Sequence, residues 1–384
     1  MQMKNKISSI ICTLLILSVI SALFPFGAYA FEKDDIVSLE KSTLAFKVKE
    51  GGAANVQQYI DGYLTDHAGS ASEWMIMALT RTDRGYDFGS YAKALDNYVK
   101  NNNVASASTR QMYSLLFIFC GDGNNPFIER TMNDSIGELG IMSYVYALHL
   151  FNNGRTSEKF TSGQVVDKLL SLQLGDGGWA VSGQYGDPDV TAMTLQALAY
   201  HYDTDQRVKS ACDNALSFLS GRQNDDGCYS SYGVRNAEST AQVIIACASL
   251  GADPLTDGRF IKNGKTLIDG LMLFRMSNGS YCHKEGGEYS SMATIQALSA
   301  YIAIERLETG RSMFYVNPPI VPGDLSGDGE VDSADAVIAL KADAGLIELD
   351  GEQTFAGDVN NDGEVSSLDA VLILKLDAGL IDSF

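Results

Sequence analysis

The chain has 384 residues, with 28 lysines and arginines against 48 aspartates and glutamates, so its formal net charge at pH 7 is −20. Such an acidic surface repels phosphate backbones and anionic lipids, and nucleic acid or membrane-surface partners are therefore not expected. Two early lysines, an apolar run from Ile7 to Phe24 and the small-residue sequence Ala28-Tyr29-Ala30 predict a signal peptide over residues 1–30. No later segment is apolar enough to span a bilayer, so a secreted, extracellular protein is expected.

Residues 31–315 carry a weak internal repeat. Three stretches have a turn of the form Asp/Asn-Gly-x-aromatic before an alanine-rich segment, and these turns begin at Asp176, Asp226 and Asn278, 50 and 52 residues apart. The alanine-rich segments are apolar nearly all round, as buried inner helices are, whereas segments such as 206–220 have one apolar face, as outer helices do. Inner helices are predicted around Ala78, Leu116, Ala147, Ala197, Ala246 and Ala297. The predicted fold class is all-α, with about six inner and six outer helices closed into an α/α toroid.

This pattern resembles the prenyltransferase and squalene-oxidase repeat group, which includes terpene cyclases, and the resemblance implies a fold rather than one chemistry. The acidic D-x-D-D motif of class II terpene cyclases is incomplete, because Val190 follows Asp187-Pro188-Asp189. A helix cap explains Asp189 equally well and is the favoured interpretation. The zinc ligands of protein prenyltransferases match at Asp226 and Cys228, but Ser290 holds the histidine position, so zinc is not expected. These motifs assign no catalytic residue.

The cysteines that follow residue 30 are odd in number and irregularly spaced. They are Cys120, Cys212, Cys228, Cys247 and Cys282. No disulfide framework is predicted from this pattern, and the side chains other than Cys228, which is considered above as a zinc ligand, are interpreted as small apolar packing residues.

Aromatic and acidic residues occur on or near the loops that precede the predicted inner helices. We expect the mouth of a pocket to be formed by Trp179, Asp187, Asp189, Tyr229, Glu238, His283 and Glu288, with further tyrosines such as Tyr185 and Tyr232 close by. One hypothesis is an accessory module that binds polysaccharide or a small ligand. The alternative is an enzyme acting on plant cell-wall polysaccharide, a glycosyl hydrolase or lyase in which two carboxylates act as acid and base. Terpene cyclase or prenyltransferase chemistry is less favoured than either.

The absence of a complete catalytic constellation favours the accessory module. Carboxylates of Asp189, Glu238 and Glu288 facing one another across a cleft would favour the enzyme. Carboxylates that each cap their own helix would remove its main support.

The sequence changes character near residue 320. Three prolines at positions 318, 319 and 322 cannot continue a helix, and they predict a linker over residues 316–322. Residues 323–384 then contain fifteen aspartates and glutamates against two lysines, a net charge of −13. Most of the chain's acidity is therefore local to its C-terminal segment.

That segment contains a second repeat. Residues 323–347 and 357–381 match at 17 of 25 positions, and each contains D-x-[SN]-x-D-G-x-V-x-x-x-D. This spacing places oxygen atoms at positions 1, 3, 5, 7, 9 and 12 of an EF-hand-like loop, with Gly329 or Gly363 at the sharp turn. Two Ca²⁺ ions are predicted. The ligands of the first are Asp324, Ser326, Asp328, Glu330, Asp332 and Asp335, and those of the second are Asp358, Asn360, Asp362, Glu364, Ser366 and Asp369.

Aspartate at position 12 and a helix only after each loop, predicted over 336–344 and 370–378, distinguish the repeats from ordinary EF-hands. Residues 323–384 resemble a type I dockerin. The resemblance implies calcium-dependent binding to the cohesin domain of a scaffoldin, in a cellulosome that degrades polysaccharide. It also implies that cohesin contacts Ser333, Ala334, Lys341, Ser367, Leu368 and Lys375.

Overall fold

The computed structural model describes residues 31–82, 84–307, 313–314, 321–328, 330–349, 351–360, 362, 364–381 and 384. The predicted signal peptide, most of the predicted linker and the two loop glycines Gly329 and Gly363 lie outside these residues. The chain divides into two compact units, Met1–Tyr315 and Val316–Phe384. No helix within the described ranges combines the length and the apolar character that crossing a membrane would require.

In its described residues, the first unit is mostly helical and contains one short hairpin. Its helices are α1 (Lys33–Glu50), α2 (Val56–Tyr59, continued by the π-helical turn Ile60–Leu64), α3 (Glu73–Leu79), α4 (Gly89–Asn101), α5 (Ala107–Phe119), α6 (Pro126–Asp134), α7 (Ile141–Asn152), α8 (Ser162–Ser171), α9 (Pro188–Leu198), α10 (Gln206–Arg222), α11 (Ala237–Ser249), α12 (Leu267–Met272) and α13 (Ser291–Leu307). Short 3₁₀ turns are Ala199–His201 and Gly258–Phe260. Strands β1 (Tyr229–Ser231) and β2 (Val234–Asn236) pair antiparallel.

Six of these helices form a closed inner ring. Each of α3, α5, α7, α9, α11 and α13 packs on the next, and α13 packs on α3. The six residues on which the inner helices were predicted to centre are all fully buried. In the described part of the chain, outer helices alternate with them along the sequence, so the predicted all-α toroid is confirmed.

A repeated hydrogen bond joins each aromatic turn to its inner helix. The backbone N–H of Trp179 donates to Thr191 Oγ1 (2.8 Å) and that of Tyr229 to Thr240 Oγ1 (3.0 Å). Tyr281 makes the same bond to Thr294 Oγ1 at 2.9 Å. A buried N–H without an acceptor is costly, so these threonines fix the turns against α9, α11 and α13.

Helix α1, the first helix in the described residues, completes the ring. Gly177, in the first aromatic turn, lies against the backbone of Asn214 on α10, and Gly279, in the third, lies against Ser42 on α1. Both glycines have φ near +90°, a backbone conformation that residues with a side chain rarely adopt. Because α1 occupies the position that α10 occupies for the earlier repeat, the two ends of the toroid are joined by packing between distant segments.

The second unit contains α14 (Ser333–Asp343), α15 (Gly351–Gly357) and α16 (Ser367–Asp377). Helices α14 and α16 pack on each other over a small core of Leu325, Ala336, Ala339, Val359, Ala370 and Ile373. Both helices begin three residues earlier than the sequence predicted. The reason is a capping box, in which Asp332 pairs with Asp335 before α14 and Ser366 pairs with Asp369 before α16.

Candidate functional site

The aspartate at position 12 of the first acidic loop, Asp335, holds that loop together through hydrogen bonds. Asp335 is fully buried; its Oδ1 accepts a hydrogen bond from the N–H of Ser326 (2.8 Å) and its Oδ2 accepts one from the N–H of Asp332 (2.9 Å). At the start of the loop, Asp324 Oδ1 accepts from Gly327 N at 2.7 Å. The position-12 carboxylate therefore ties both ends of the loop to the first turn of α14.

The second loop has the same construction. Asp369 is fully buried, with Oδ1 accepting from Asn360 N (3.2 Å) and Oδ2 from Ser366 N (2.9 Å). Asp358 Oδ1 accepts a hydrogen bond from Asp362 N at 3.0 Å. Asp358 is at position 1 of its loop, as Asp324 is in the first loop. The match between the loops shows that the sequence repeat is also a structural repeat.

The donor atoms of both loops suit calcium rather than zinc. They are carboxylate, hydroxyl, amide and carbonyl oxygens, which hard cations prefer, and neither loop offers a histidine or cysteine. Within the described residues, no group of three or more His, Cys, Asp and Glu side chains is arranged to hold a metal ion. The loop carboxylates instead accept hydrogen bonds from loop N–H groups, so the twelve predicted ligands stay a prediction.

One face of α14 and one face of α16 are open to solvent. All six residues predicted to contact cohesin are exposed, and Leu368 is 65% exposed. The same faces also expose apolar residues that the sequence analysis missed, namely Val337, Leu340, Val371 and Leu374. They could have been found from their spacing, because Ala334, Val337 and Lys341 lie three and four positions apart on the face opposite the buried alanines.

Two of the residues predicted at a pocket mouth are core residues in the toroid. Trp179 and Tyr229 are fully buried; Trp179 Nε1 donates to the carbonyl of Leu169 (2.8 Å) and the Tyr229 hydroxyl donates to that of Leu219 (2.7 Å). Their placement at the mouth was wrong. The glycine turn directs each ring between an inner and an outer helix, where a large apolar surface with one satisfied polar atom is most stable.

Four other predicted residues are brought together at the N-terminal ends of α9 and α11. Asp187 caps α9, because its Oδ1 accepts from Asp189 N (3.0 Å) and Val190 N (3.2 Å). Its Oδ2 accepts from Ser231 Oγ (2.7 Å), and Asp189 Oδ2 accepts from Ser239 Oγ (3.1 Å).

Glu238 completes the group through its Oε2, which lies 2.8 Å from His283 Nδ1. We call this group the rim network; its members are Asp187, Asp189, Glu238, His283, Ser231 and Ser239. Glu288 is exposed.

The carboxyl group of Asp189 has an unusual environment. Burial, followed by the charge of Asp187 and then that of Glu238, raises the pKa of Asp189 to about 6, while its hydrogen bond with Ser239 opposes the rise. Its Oδ1 atom is buried and has no hydrogen-bond partner among the described residues. The interpretation of Asp189 as a helix cap was therefore wrong, since Asp187 caps α9 and Asn236 caps α11.

The residues that match prenyltransferase zinc ligands serve the second aromatic turn. Arg235 forms an ion pair with Asp226, and its Nε donates to Cys228 Sγ at 3.2 Å. Burial raises the pKa of Cys228, which favours the thiol over the thiolate that zinc would need. The five cysteines after residue 30 are all free thiols.

Beside the rim network lies an open cleft of about 390 Å³, bounded by the loop before α9 and by the β1–β2 hairpin. We call it the rim cleft. Its lining includes Tyr185, Asp187, Arg222, Asn224, Ser230 and Tyr232. The cleft combines aromatic side chains with hydrogen-bonding groups, and both kinds of group contribute to ligand sites in proteins.

Comparison with protein families decides the nature of the second unit. Residues 322–376 match the dockerin type I domain. Type I dockerin domains bind calcium, and a dockerin implies docking onto cohesin in a cellulosome-type assembly. The dockerin match covers the two acidic loops and most of α16.

Solved structures resemble the toroid. A possible member of the GH105 family from Salmonella enterica is 9% identical, with a TM-score of 0.50, over 75% of this chain and 97% of that one. The type II terpene cyclase MstE from Scytonema is 12% identical, with a TM-score of 0.48, over 72% and 99% of the two chains. Identities this low show the fold alone. No curated protein sequence matches the chain.

Proposed function

We propose that this protein is a secreted cellulosome component. Its dockerin binds a cohesin domain when calcium stabilises the two loops, and its toroid binds polysaccharide. The dockerin match carries the first part of this proposal. Calcium would be held by the oxygen atoms of the two loops, neutralising carboxylates that otherwise repel one another. Export is proposed from the predicted signal peptide, and N-terminal sequencing of the secreted protein should find a start near Phe31.

The exposed faces of α14 and α16 support the docking surface. Apolar side chains that remain in solvent on paired helices mark a protein interface more often than a stability feature. The two faces differ at one equivalent position, where Ala334 in the first repeat corresponds to Leu368 in the second. A leucine contributes more apolar area than an alanine, so the α16 face should dominate the affinity.

A matched pair of substitutions tests this surface. Leu368→Asp should weaken cohesin binding at least tenfold, because it replaces an apolar contact with a charge, whereas Ala334→Asp should weaken it less. Binding to a panel of cohesins would be measured by calorimetry with calcium present. Equal affinities for both variants and the parent protein would exclude these faces as the docking surface.

The polysaccharide-binding role of the toroid rests on the rim cleft beside the rim network. The direct test is retention of the full-length protein, in calcium, on a panel of soluble and insoluble plant polysaccharides. Retention by none of them would refute this part of the proposal while leaving the docking function intact.

A second candidate function is catalysis on the same polysaccharides. It is favoured by the raised pKa of Asp189, which suits a general acid, next to the Glu238–His283 pair. An enzyme would release new reducing ends or unsaturated products, and Asp189→Asn would abolish that release while retaining binding. Retention without any product would leave the accessory module as the function.

A further inference from the structure

The rim cleft presents two aromatic side chains that contribute little to the core. Among the described residues of the first unit, Tyr232 (81%) and Tyr185 (75%) are the most exposed large hydrophobic side chains. Tyr232 lies at the tip of the β1–β2 hairpin and Tyr185 in the loop before α9. Burial therefore does not explain why either position carries a ring.

The backbone conformation at Tyr232 is also unusual for a tyrosine. Within the described residues, only Tyr232 (φ 48°) and Asn263 (φ 49°) are non-glycine residues with positive φ. Each precedes a glycine of positive φ, Gly233 or Gly264, in a tight antiparallel turn. Asparagine tolerates this conformation well, whereas a tyrosine there is strained. The same chain thus uses the favoured residue in one turn and an unfavourable aromatic in the other.

Contacts of neighbouring residues hold the two backbone segments that carry the tyrosines. The hairpin is tied to the cap of α9 by the bond from Ser231 Oγ to Asp187 Oδ2. The loop of Tyr185 is held at Gly186, whose N–H donates to Asp176 Oδ2 (2.9 Å). A Cβ atom on Gly186 would lie 2.7 Å from Gly178 Cα, so this close approach requires glycine. Backbone segments held in this way lose little conformational entropy when a ligand binds.

Polar groups line the same cleft as the two tyrosines. Arg222, at the end of α10, and Ser182 are exposed, and Asn224 Nδ2 donates to Ser230 Oγ at 3.2 Å. Aromatic faces match the C–H faces of sugar rings, while guanidinium, amide and hydroxyl groups match their hydroxyls. An apolar ligand would not need these hydrogen-bonding groups beside the aromatic rings.

We propose that Tyr185 and Tyr232 are the sugar-binding platform of the toroid, stacking on pyranose rings of one polysaccharide chain while Arg222 and Asn224 bind its hydroxyls. This inference rests on the proposed polysaccharide-binding function and assigns it to one site. It accounts for the strained tyrosine, because the ring contributes to ligand affinity at the expense of fold stability.

A reciprocal exchange of turn residues tests the inference on the full-length protein in calcium. Tyr232→Asn should weaken polysaccharide binding about tenfold, the loss expected for one aromatic platform, and raise the midpoint of thermal unfolding by about 1–3 °C. Asn263→Tyr, in the other turn, should lower that midpoint and leave binding unchanged. Tyr185→Ala should weaken binding to a similar extent.

Leu139→Ala is the control for an exposed apolar side chain elsewhere, since Leu139 is 60% exposed, and its binding should equal that of the parent. Affinity electrophoresis in gels containing each polysaccharide would supply the constants. If the parent is retained and the two tyrosine variants are retained equally, the platform lies elsewhere and only this inference fails. If the parent binds none of the polysaccharides, the proposed function fails and this inference fails with it.

Discussion

Thr240 offers the sharpest test of how the toroid is held together. Its Oγ1 accepts the N–H of Tyr229 at 3.0 Å and donates to the carbonyl of Asn236 at 3.0 Å. Thr240→Val preserves the shape of the side chain and removes the acceptor. Since Tyr229 is fully buried, its N–H would then have no partner and no water.

The expected cost follows from that geometry. A buried donor left without an acceptor costs about 1–3 kcal/mol, so the free energy of unfolding should fall by that amount and the midpoint by about 2–6 °C. The equivalent changes Thr191→Val and Thr294→Val should behave alike, and their effects should add because the sites lie in separate repeats. An exposed control, Thr256→Val, should change the free energy by less than about 0.5 kcal/mol.

The assay can isolate the toroid within the intact protein. The chain has two tryptophans, Trp74 and Trp179, and both lie in the first unit, so their fluorescence reports its unfolding in urea. Hydrogen exchange should show faster exchange of the Tyr229 amide in the Thr240 variant. A Thr240 variant that unfolds at the same urea concentration as the parent, and whose Tyr229 amide stays protected from exchange, would refute the role assigned to this bond.

Three further outcomes are expected. Chelating calcium should unfold the dockerin and abolish cohesin capture, because uncompensated loop carboxylates repel one another; capture that persists in chelator would contradict this. Asp189→Asn should raise the thermal midpoint above that of the parent at pH 8, with the difference disappearing below about pH 4. The reason is that a carboxyl whose folded pKa is raised to about 6 stabilises the fold only while protonated, and this contribution is lost as the pH rises through 6; a difference independent of pH would argue against it. The mature chain should react with a thiol reagent only after unfolding, since burial raises the pKa of Cys120 and of Cys212 to about 12, and rapid labelling of the folded protein would count against this.

Local pattern was sufficient for the helices and for the acidic loops. Apolar periodicity located all six inner helices, because a buried helix must be apolar nearly all round wherever its partners lie. The twelve-residue loop spacing led to the dockerin assignment for a similar reason, since its ligands are close together in sequence. Helix starts were less accurate, because the capping boxes at Asp332 and Ser366 extended α14 and α16 beyond the apolar run.

The sequence by itself determined the elements of this protein: an alternation of inner and outer helices, and two loops rich in oxygen ligands. Only the tertiary structure decided which loop residues face inward. Trp179, Tyr185, Tyr229 and Tyr232 all occur near aromatic turns, yet two are core residues and two line the rim cleft. The difference depends on contacts between segments far apart in sequence, such as the bond from Ser231 to Asp187, and no local periodicity encodes those contacts.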